Sequence, residues 1–316
     1  MVRAAALAAL AAAFAVPLAR RRLGVPAAGT VAAAASGPLA LASLRPRTKA
    51  RDAALFGLQM WAFTVIHELP FDDPERLRRR LRVRYPIRAD TLLGLGELPN
   101  VRLQRRFSRR GEVTTLDRVL AVVHWAWFCA PHLALVWILI RREERFARAA
   151  RQMAAAFDLG CAIYHLIPTA PPWWAAEQSY LSEEAGRGGA KLVAEASPPR
   201  LRRMMVEVGE RTWGRAWPRL YDSLGGNPWA AMPSLHFATS VLAAILLAES
   251  GPFPAVAGWG YAATLGFALV YLGEHYAIDL VAGAALVALV RGGEPLADPL
   301  ARRVNALAQR LERLAN

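Results

Sequence analysis

Two histidines and one aspartate near the C-terminal end have side chains suited to phosphoryl transfer. His275 and Asp279 lie four positions apart in "YLGEHYAIDLVAG", and His236 stands in "AMPSLHFATS". On a helix, this spacing puts His275 and Asp279 on one face, where the carboxylate can hold the tautomer of the imidazole and stabilise its cation. Ionisable residues at the mouth of a membrane span favour a functional role. A structural histidine capped by an aspartate at a helix start is the alternative.

His236 adds a second imidazole beside a predicted helix start. Pro233 and Ser234 are typical of the first turn of a helix, where free backbone N–H groups and the helix dipole favour an anion. Two histidines, one with a carboxylate partner, suit phosphoryl transfer without a metal. One imidazole attacks phosphorus and the other protonates the leaving oxygen.

Long apolar blocks, which must position these residues, indicate an integral membrane protein. The chain has 316 residues, of which 55% are hydrophobic, and its mean hydropathy is +0.21. A transmembrane helix needs about 20 mostly apolar residues. The predicted fold is therefore an all-α polytopic membrane bundle with about eight transmembrane helices. The predicted spans cover residues 4–19, 25–44, 52–69, 117–140, 146–167, 233–249, 254–273 and 276–290. The first block also fits a cleaved signal peptide.

Two segments are too polar to cross lipid. Residues 72–113 are rich in arginine, and their helical spacing predicts short amphipathic helices in the interface, divided by Pro86 and Pro99. Residues 169–232 are rich in tryptophan and tyrosine, which fits a cap at the membrane surface. The net charge of +14 favours anionic lipid headgroups over nucleic acid as the partner.

Charge asymmetry predicts the orientation in the membrane. The tail after residue 291 carries four arginines and is predicted to be cytoplasmic. Two crossings separate His236 from His275, so both histidines should lie on the outer face of a bacterial-type cell membrane. Residues 72–113 would then also lie outside, against the positive-inside rule, and outer-face phosphate groups could bind their arginines.

Several motifs resemble one enzyme family. "AMPSLH" and "GEHYAIDLVAG" look like the second and third signature motifs of the type 2 phosphatidic acid phosphatase superfamily. PSLH in place of PSGH, the tyrosine after the second histidine, and "IPTAPPWW" resemble its inositolphosphotransferase branch, which includes inositol phosphorylceramide synthases. "GELPNVRLQ" and "GGNPWAAMPSLH" are similar to bacterial members. The resemblance covers roughly residues 60–290 and implies that six of the helices form a phosphatase-like core.

The resemblance also implies roles for the three residues. His275 would be the nucleophile that forms a phosphohistidine, Asp279 would orient it, and His236 would be the general acid; no metal or cofactor is expected. The Ser-Arg pair usual in the third motif is replaced by Ala268 and Leu269, and the first motif is not recognisable. Another group must therefore supply the positive charge that phosphoryl transfer requires.

The source of that charge stays open at this point. The arginines of residues 102–110, Lys191 and the backbone N–H groups of "PSLH" are all candidates. The predicted substrate-binding residues are Gln104, Arg105, Arg106, Lys191, Asn227, Ser234 and Tyr276.

Three regions follow from this organisation. Residues 1–51 would be N-terminal transmembrane helices with a basic loop, residues 52–291 the phosphatase-like or phosphotransferase-like membrane domain, and residues 292–316 a basic amphipathic tail.

The predicted function is a metal-independent phosphotransferase that acts on a lipid phosphate ester, with an inositol-type donor or acceptor or another polyol or lipid alcohol as acceptor. A lipid phosphate phosphatase is the first alternative. A non-catalytic lipid-binding protein is another. A haem or metal protein using His124, His132 and His165 is the last, although the nearby tryptophans favour packing for His124 and His132.

Overall fold

The structure, a computed structural model, describes residues 1–109, 111–187, 201–217, 219 and 227–315. These residues form α-helices and short connections, without a β-strand. The helices are α1 (Val2–Leu23), α2 (Ala27–Leu44), α3 (Lys49–Glu68), α4 (Pro74–Arg80), α5 (Arg84–Leu93), α6 (Pro99–Phe107), α7 (Thr115–Ala126), α8 (Ala130–Arg141), α9 (Glu143–Leu166), α10 (Pro172–Glu177), α11 (Tyr180–Arg187), α12 (Met204–Trp213), α13 (Leu235–Ala248), α14 (Pro252–Tyr271), α15 (Ala277–Gly292) and α16 (Glu294–Ala315).

Long apolar helices confirm the predicted all-α membrane class. Within the described ranges, α1, α2 and α14 are long and apolar enough to cross a membrane. The bent pairs α7–α8 and α15–α16 raise the number to five if each pair is one span. The other predicted spans are also helical, but α3 and α9 contain charged and other polar side chains and α13 has only 14 residues. Length and composition therefore support three to five spans, fewer than the eight predicted.

Proline positions and one helix break differ from the sequence prediction. Pro86 lies inside the first turn of α5, where a missing N–H is tolerated, and does not divide two helices. Pro99 begins α6 as predicted. The predicted span 117–140 is interrupted by a turn at residues 127–129, between α7 and α8.

The described chain divides into two compact units. The first contains residues 1–74, 133–161 and 288–316. Its helices α1 and α2 approach closely at Gly37, where a Cβ would lie 3.1 Å from the Cβ of Ala13. Trp61 of α3 donates a hydrogen bond from Nε1 to the carbonyl oxygen of Ala13 at 2.8 Å. The predicted three-region division remains a prediction.

The second unit contains residues 75–132 and 162–287, including the candidate site. One of its apolar clusters joins α7, α12 and the end of α14, with Leu120, Met205 and Tyr271 at its centre. Another joins α5, α10 and α11 and includes Ile87 and Tyr276. The amphipathic helices predicted in residues 72–113 thus bury their apolar faces around the ends of α14 and α15.

Ion pairs hold α5 against α11 in this unit. Glu184 accepts hydrogen bonds from Arg84 at 2.6 Å and from Arg88 at 2.7 Å. Glu183 accepts from Arg84 at 2.7 Å. These hydrogen bonds from the arginines, the one from Arg88 first, hold the pKa of Glu184 below its usual value.

Candidate active site

His236, His275 and Asp279 form a continuous hydrogen-bonded row. The distance between Nδ1 of His236 and Nε2 of His275 is 3.1 Å. On the other side of the same ring, Nδ1 of His275 lies 3.2 Å from Oδ2 of Asp279. His275 is 4% exposed and Asp279 is fully buried. The fold therefore brings together two imidazoles that are 39 positions apart in the sequence.

The start of α13 places His236 in this row. Ser234 is the N-cap residue, and its Oγ accepts a hydrogen bond from the backbone N–H of Phe237 at 3.3 Å. The backbone N–H of Ser234 also donates to the carbonyl oxygen of Asp279 at 3.0 Å. Tyr164 of α9 donates from its hydroxyl to the carbonyl oxygen of Pro233 at 2.6 Å. Three different helices thus fix the turn that carries His236.

A close approach between α13 and α15 makes the row possible. A Cβ on Gly283 of α15 would lie 2.7 Å from the carbonyl oxygen of Ser234 and 3.4 Å from the backbone nitrogen of Ala238. The first of these distances is shorter than any ordinary contact, so a side chain at this position would force the two helices apart. Glycine therefore sets the separation at which the two imidazoles meet.

His275 lies in the turn before α15 and not within the helix, unlike the predicted pairing along one helix face. Gly273 has a φ of +81° and reverses the chain after α14. The N–H groups of Glu274 and His275 both donate to the carbonyl oxygen of Leu269 at 3.1 Å. Oδ2 of Asp279 also accepts from the backbone N–H of Tyr276 at 2.9 Å. The same carboxylate oxygen thus caps α15 and contacts His275.

The direction of the hydrogen bonds follows from the chemistry of the groups. An ionised carboxylate only accepts, so Nδ1 of His275 donates to Asp279. A neutral imidazole then carries a lone pair on Nε2, so Nδ1 of His236 must donate to it. This assignment leaves a nucleophilic nitrogen on His275 and a transferable proton on His236. It is the protonation state that attack on phosphorus requires.

Two aromatic rings pack against His236. His124 of α7 stacks on it, with ring centroids 5.0 Å apart and an interplanar angle of 27°. The ring centroid of Trp127 lies 4.1 Å from that of His236, and Nε1 of Trp127 donates to Oγ1 of Thr239 at 2.9 Å. The sequence prediction did not assign His124 or Trp127 to the site. His124 lies in the last turn of α7 and Trp127 directly follows that helix, and nothing in this local sequence indicates what the two side chains contact.

Buried polar side chains of α5 and α6 brace the turn that carries His275. Nδ2 of Asn100 donates to the carbonyl oxygens of Val270 and His275 at 2.7 and 2.8 Å. The carboxylate of Asp90 accepts from the backbone N–H groups of Ala277 and Ile278 at 3.0 and 2.7 Å. The sequence prediction missed both side chains, although "GELPNVRLQ" contains Asn100. The sequence shows Asp90 and Asn100 only as two more polar residues on helices that already carry many, so it does not mark them as buried.

Two of the residues predicted to bind substrate are used inside the protein. Gln104 is buried, and Nε2 donates to the carbonyl oxygens of Arg202 and Tyr271 at 3.1 and 2.9 Å. Its Oε1 accepts from the backbone N–H of Arg202 at 2.8 Å. Tyr276 is fully buried in an apolar cluster. The contacts of Gln104 are those of a brace, and substrate binding by both residues remains a prediction.

The remaining candidates for substrate binding lie at different places. Ser234 caps α13 beside the histidines. Oδ1 of the buried Asn227 accepts from the backbone N–H of Trp229 at 2.9 Å. Arg105 pairs with Glu97, with Nη2 and Oε2 3.0 Å apart. Arg106 is exposed, and its guanidinium lies 5.8 Å from the ring centroid of Phe107. Lys191 lies outside the described residues.

The other histidines and the cysteines do not form a metal-binding group in the part of the chain that the structure describes. No cluster there contains three or more side chains of His, Cys, Asp or Glu placed to hold a metal ion. Cys161 is buried, whereas Cys129 is exposed. The carbonyl oxygen of His165, at the end of α9, accepts a hydrogen bond from Arg80 at 2.5 Å.

Comparisons with known proteins agree with the family resemblance of the motifs. The chain is similar to the inositol phosphorylceramide synthase catalytic subunit aur1 of Schizosaccharomyces pombe, with 29% identity over 180 residues. This match covers 54% of the chain but only 39% of that relative. No solved structure matches the chain significantly. Residues 101–292 match the model of the PAP2 superfamily. Because this region is more than half of the chain and contains the whole histidine–histidine–aspartate row, the protein belongs to the PAP2 superfamily.

Proposed function

We propose that this protein is a membrane phosphotransferase that acts on a lipid phosphate ester through a phosphohistidine on His275. The observation that carries the proposal is the row of contacts from His236 through His275 to Asp279. It provides a nucleophile, a group that orients it and a proton donor within one hydrogen-bonded chain.

In the first step, the lone pair on Nε2 of His275 attacks phosphorus. The bond between phosphorus and the leaving oxygen breaks, and its electron pair goes to that oxygen. His236, acting as an imidazolium cation, transfers the proton of Nδ1 to the oxygen and becomes neutral, so that a neutral alcohol departs. The positive charge that develops on the ring of His275 is stabilised by the carboxylate of Asp279, 3.2 Å away.

In the second step, an acceptor hydroxyl attacks the phosphohistidine. His236, now lacking the transferred proton, accepts the proton of that hydroxyl. The new bond between oxygen and phosphorus forms as the bond between phosphorus and Nε2 of His275 breaks, and the electron pair returns to the imidazole. Both histidines regain their starting protonation states. A lipid or polyol alcohol as acceptor gives transfer, and water gives hydrolysis.

Substrate binding must separate the two histidines. The attacking nitrogen and the leaving oxygen lie on opposite sides of phosphorus in an in-line displacement. The 3.1 Å distance between the two imidazole nitrogens leaves no room for a phosphoryl group. The reactive complex therefore requires the phosphoryl group to insert between them, so that His236 reaches the leaving oxygen and not the nucleophile.

The buried neighbours of the row do not supply the charge that the phosphoryl oxygens need. Ala268 and Leu269, which replace the family's usual Ser-Arg pair, are both fully buried. They are neutral, so they cannot stabilise negative charge on phosphorus. The cationic groups must come from side chains at the rim of the site or from the substrate's own surroundings at the headgroup level.

The family and the apolar helices support a lipid substrate at the membrane. The relative from Schizosaccharomyces pombe is a subunit of an inositol phosphorylceramide synthase, which favours an inositol-type donor or acceptor here as well. The predicted orientation places the reaction on the outer face of a bacterial-type cell membrane. A lipid phosphate phosphatase is the second candidate, because the same row of residues serves either acceptor.

The test uses the full chain in lipid nanodiscs containing a chelator. Phosphatidylinositol or phosphatidic acid, labelled at phosphorus, is supplied with or without a polyol or a lipid alcohol. We expect a labelled phosphodiester from phosphatidylinositol, or a labelled phosphomonoester of the alcohol from phosphatidic acid. Either product should increase with alcohol concentration, and chelation should cause no loss of turnover. The His275→Ala variant is the control and should form no labelled product.

A product of hydrolysis alone at every alcohol concentration would contradict transfer and support the phosphatase. That product is free labelled phosphate from phosphatidic acid and labelled inositol phosphate from phosphatidylinositol. Turnover by His275→Ala equal to that of the wild type would contradict the phosphohistidine mechanism for both candidates.

A further inference from the structure

A buried carboxylate outside the reacting row holds the helix that carries Asp279. Asp90 of α5 is fully buried. Its Oδ1 accepts from the backbone N–H of Ile278 at 2.7 Å, and its Oδ2 accepts from that of Ala277 at 3.0 Å. These are the first two residues of α15, and they lie between His275 and Asp279. The carboxylate thus binds the backbone at the centre of the site without contacting either imidazole.

The first N–H groups of a helix have no partner within the helix and need external acceptors. At α15, Asp279 accepts from the N–H of Tyr276, and Asp90 accepts from the next two. The helix start is therefore capped partly from within and partly from α5, a distant segment of the chain.

Both backbone groups of His275, in the turn before α15, make hydrogen bonds. The N–H of His275 donates to the carbonyl oxygen of Leu269 at 3.1 Å. Its carbonyl oxygen accepts from Asn100 of α6 at 2.8 Å. Together with Asp90, these contacts fix the backbone on either side of the His275 ring, which leaves the side chain little freedom to change direction.

The side chain of Asp90 is both buried and ionisable. Burial raises the pKa of Asp90 to about 6, although its two backbone hydrogen bonds lower it. The carboxyl group is therefore ionised at neutral pH and can accept on both oxygens. No cation pairs with it among the described residues, because the arginines of α5 pair with Glu183 and Glu184. The two backbone N–H groups and the positive end of the α15 dipole stabilise this buried charge, which ties the carboxylate to the start of α15.

We propose that Asp90 is a positioning residue: by holding the first two N–H groups of α15, it aims Nε2 of His275 at the phosphorus atom. The inference rests on the proposed function. Displacement of a reacting group by about 1 Å can lower a rate about 100-fold, and the start of α15 controls the positions of both His275 and Asp279.

The main test is the nearly isosteric substitution Asp90→Asn. The amide offers one acceptor oxygen in place of two and turns an NH₂ group toward a backbone N–H of α15. We expect kcat to fall about 10- to 100-fold. KM should stay within about twofold, because Asp90 lies behind the turn and does not reach the substrate.

Two further variants make the result interpretable. Glu75→Gln removes a carboxylate from the exposed surface of the adjacent α4, where the side chain of Glu75 is 88% exposed, and should leave kcat unchanged. Asp90→Glu keeps the charge and both acceptor oxygens. It should retain more activity than Asp90→Asn even though Asn matches the native volume better. Each rate is normalised to folded, monodisperse protein.

The outcomes separate this proposal from the proposed function. If His275→Ala is inactive while folded Asp90→Asn keeps the wild-type kcat, the positioning role is overturned and the proposed function stands. The positioning role is also overturned if the lower activity of Asp90→Asn is explained by loss of folded protein alone and Asp90→Glu is less active than Asp90→Asn. If His275→Ala retains full turnover, the proposed function is wrong, and the positioning role that rests on it is wrong as well.

Discussion

At the scale of single residues, hydrogen-bond direction separates the roles of two histidines that are alike in type. Nε2 of His275 faces His236, whereas Nδ1 of the same ring faces the buried carboxylate of Asp279. Because the carboxylate can only accept, the proton order along the row is determined. In the proposed mechanism His275 is the nucleophile and His236 the acid, so the two should respond differently to the leaving group.

We predict that the His236→Ala variant loses activity only with poor leaving groups. With a lipid phosphate ester, the rate should fall about 10²- to 10⁴-fold, since an alkoxide must leave without a proton. With a nitrophenyl ester, which departs as a stable anion, most of this loss should disappear. The measurement is kcat/KM for both esters with the wild type and the variant.

Matched variants complete this comparison. His275→Ala should be inactive with both esters, and His132→Ala, which removes a half-buried imidazole outside the row, should behave as the wild type. An equal loss for His236→Ala with both esters would show that His236 is not the proton donor.

The sequence indicates the reacting residues better than their supports. His236, His275 and Asp279 stand in local motifs, so their chemistry is visible in a few neighbouring letters. Asp90 and Asn100 act on backbone groups that lie 187 and 175 positions away in the sequence. Nothing local to these two residues indicates that partner.

At the scale of elements, the separation of α13 and α15 is set by one glycine. The backbones of α13 and α15 meet where Gly283 faces Ser234, which precedes His236 in the first turn of α13. The capping contact between the N–H of Ser234 and the carbonyl oxygen of Asp279 lies at the same crossing. Changes in this crossing should therefore affect both stability and activity.

We predict that Gly283→Ala separates the two helices. The added Cβ would lie 2.7 Å from the carbonyl oxygen of Ser234, which is backbone and cannot rotate away. The free energy of unfolding should fall by about 1–3 kcal/mol, and kcat should fall because the imidazoles move apart. Thermal unfolding in detergent and turnover are both measured.

Gly292→Ala is the matched control for this prediction. It places the same methyl group at the end of α15, where nothing in the described residues lies within 4 Å of the new Cβ. This variant should be neutral or slightly more stable, because alanine favours helix over glycine. Equal unfolding midpoints for the two variants would contradict the close-contact argument.

Helix positions were largely predictable, whereas tertiary contacts were not. The apolar blocks correspond to helices because hydrophobic periodicity and length are local properties. The turn at residues 127–129 contains no glycine or proline, and the local signal for this break is Pro131 in the first turn of α8. The break lets the ring of Trp127 reach His236, which is a tertiary contact.

At the scale of the whole molecule, charge and hydropathy relate the site to the membrane. The described residues include many exposed arginines and several apolar helices long enough to cross a bilayer. The positive-inside rule predicts a cytoplasmic tail and an outer-face site. Under the proposed function, this orientation would decide which leaflet supplies the lipid substrate.

We predict that single cysteines will report this orientation. In a Cys129→Ser, Cys161→Ser background, Gln178→Cys in the predicted cap should react with a membrane-impermeant maleimide in intact cells. Arg313→Cys in the tail should react only after permeabilisation. Both positions are exposed in the structure, so access to the reagent depends on the membrane. If only Arg313→Cys were labelled in intact cells, the predicted orientation would be wrong and the tail would lie outside.

The sequence by itself determined the membrane class and the approximate helix positions, and it predicted the three residues of the proposed reacting row. These depend on length, hydropathy and short motifs, which are properties of neighbouring residues. Only the tertiary structure decided the order of contacts along the row from His236 to Asp279, the packing of His124 and Trp127 on His236, and the support of α15 by Asp90. Each of these depends on distances between segments far apart in the chain, and hydrogen bonding is specific to within a few tenths of an ångström.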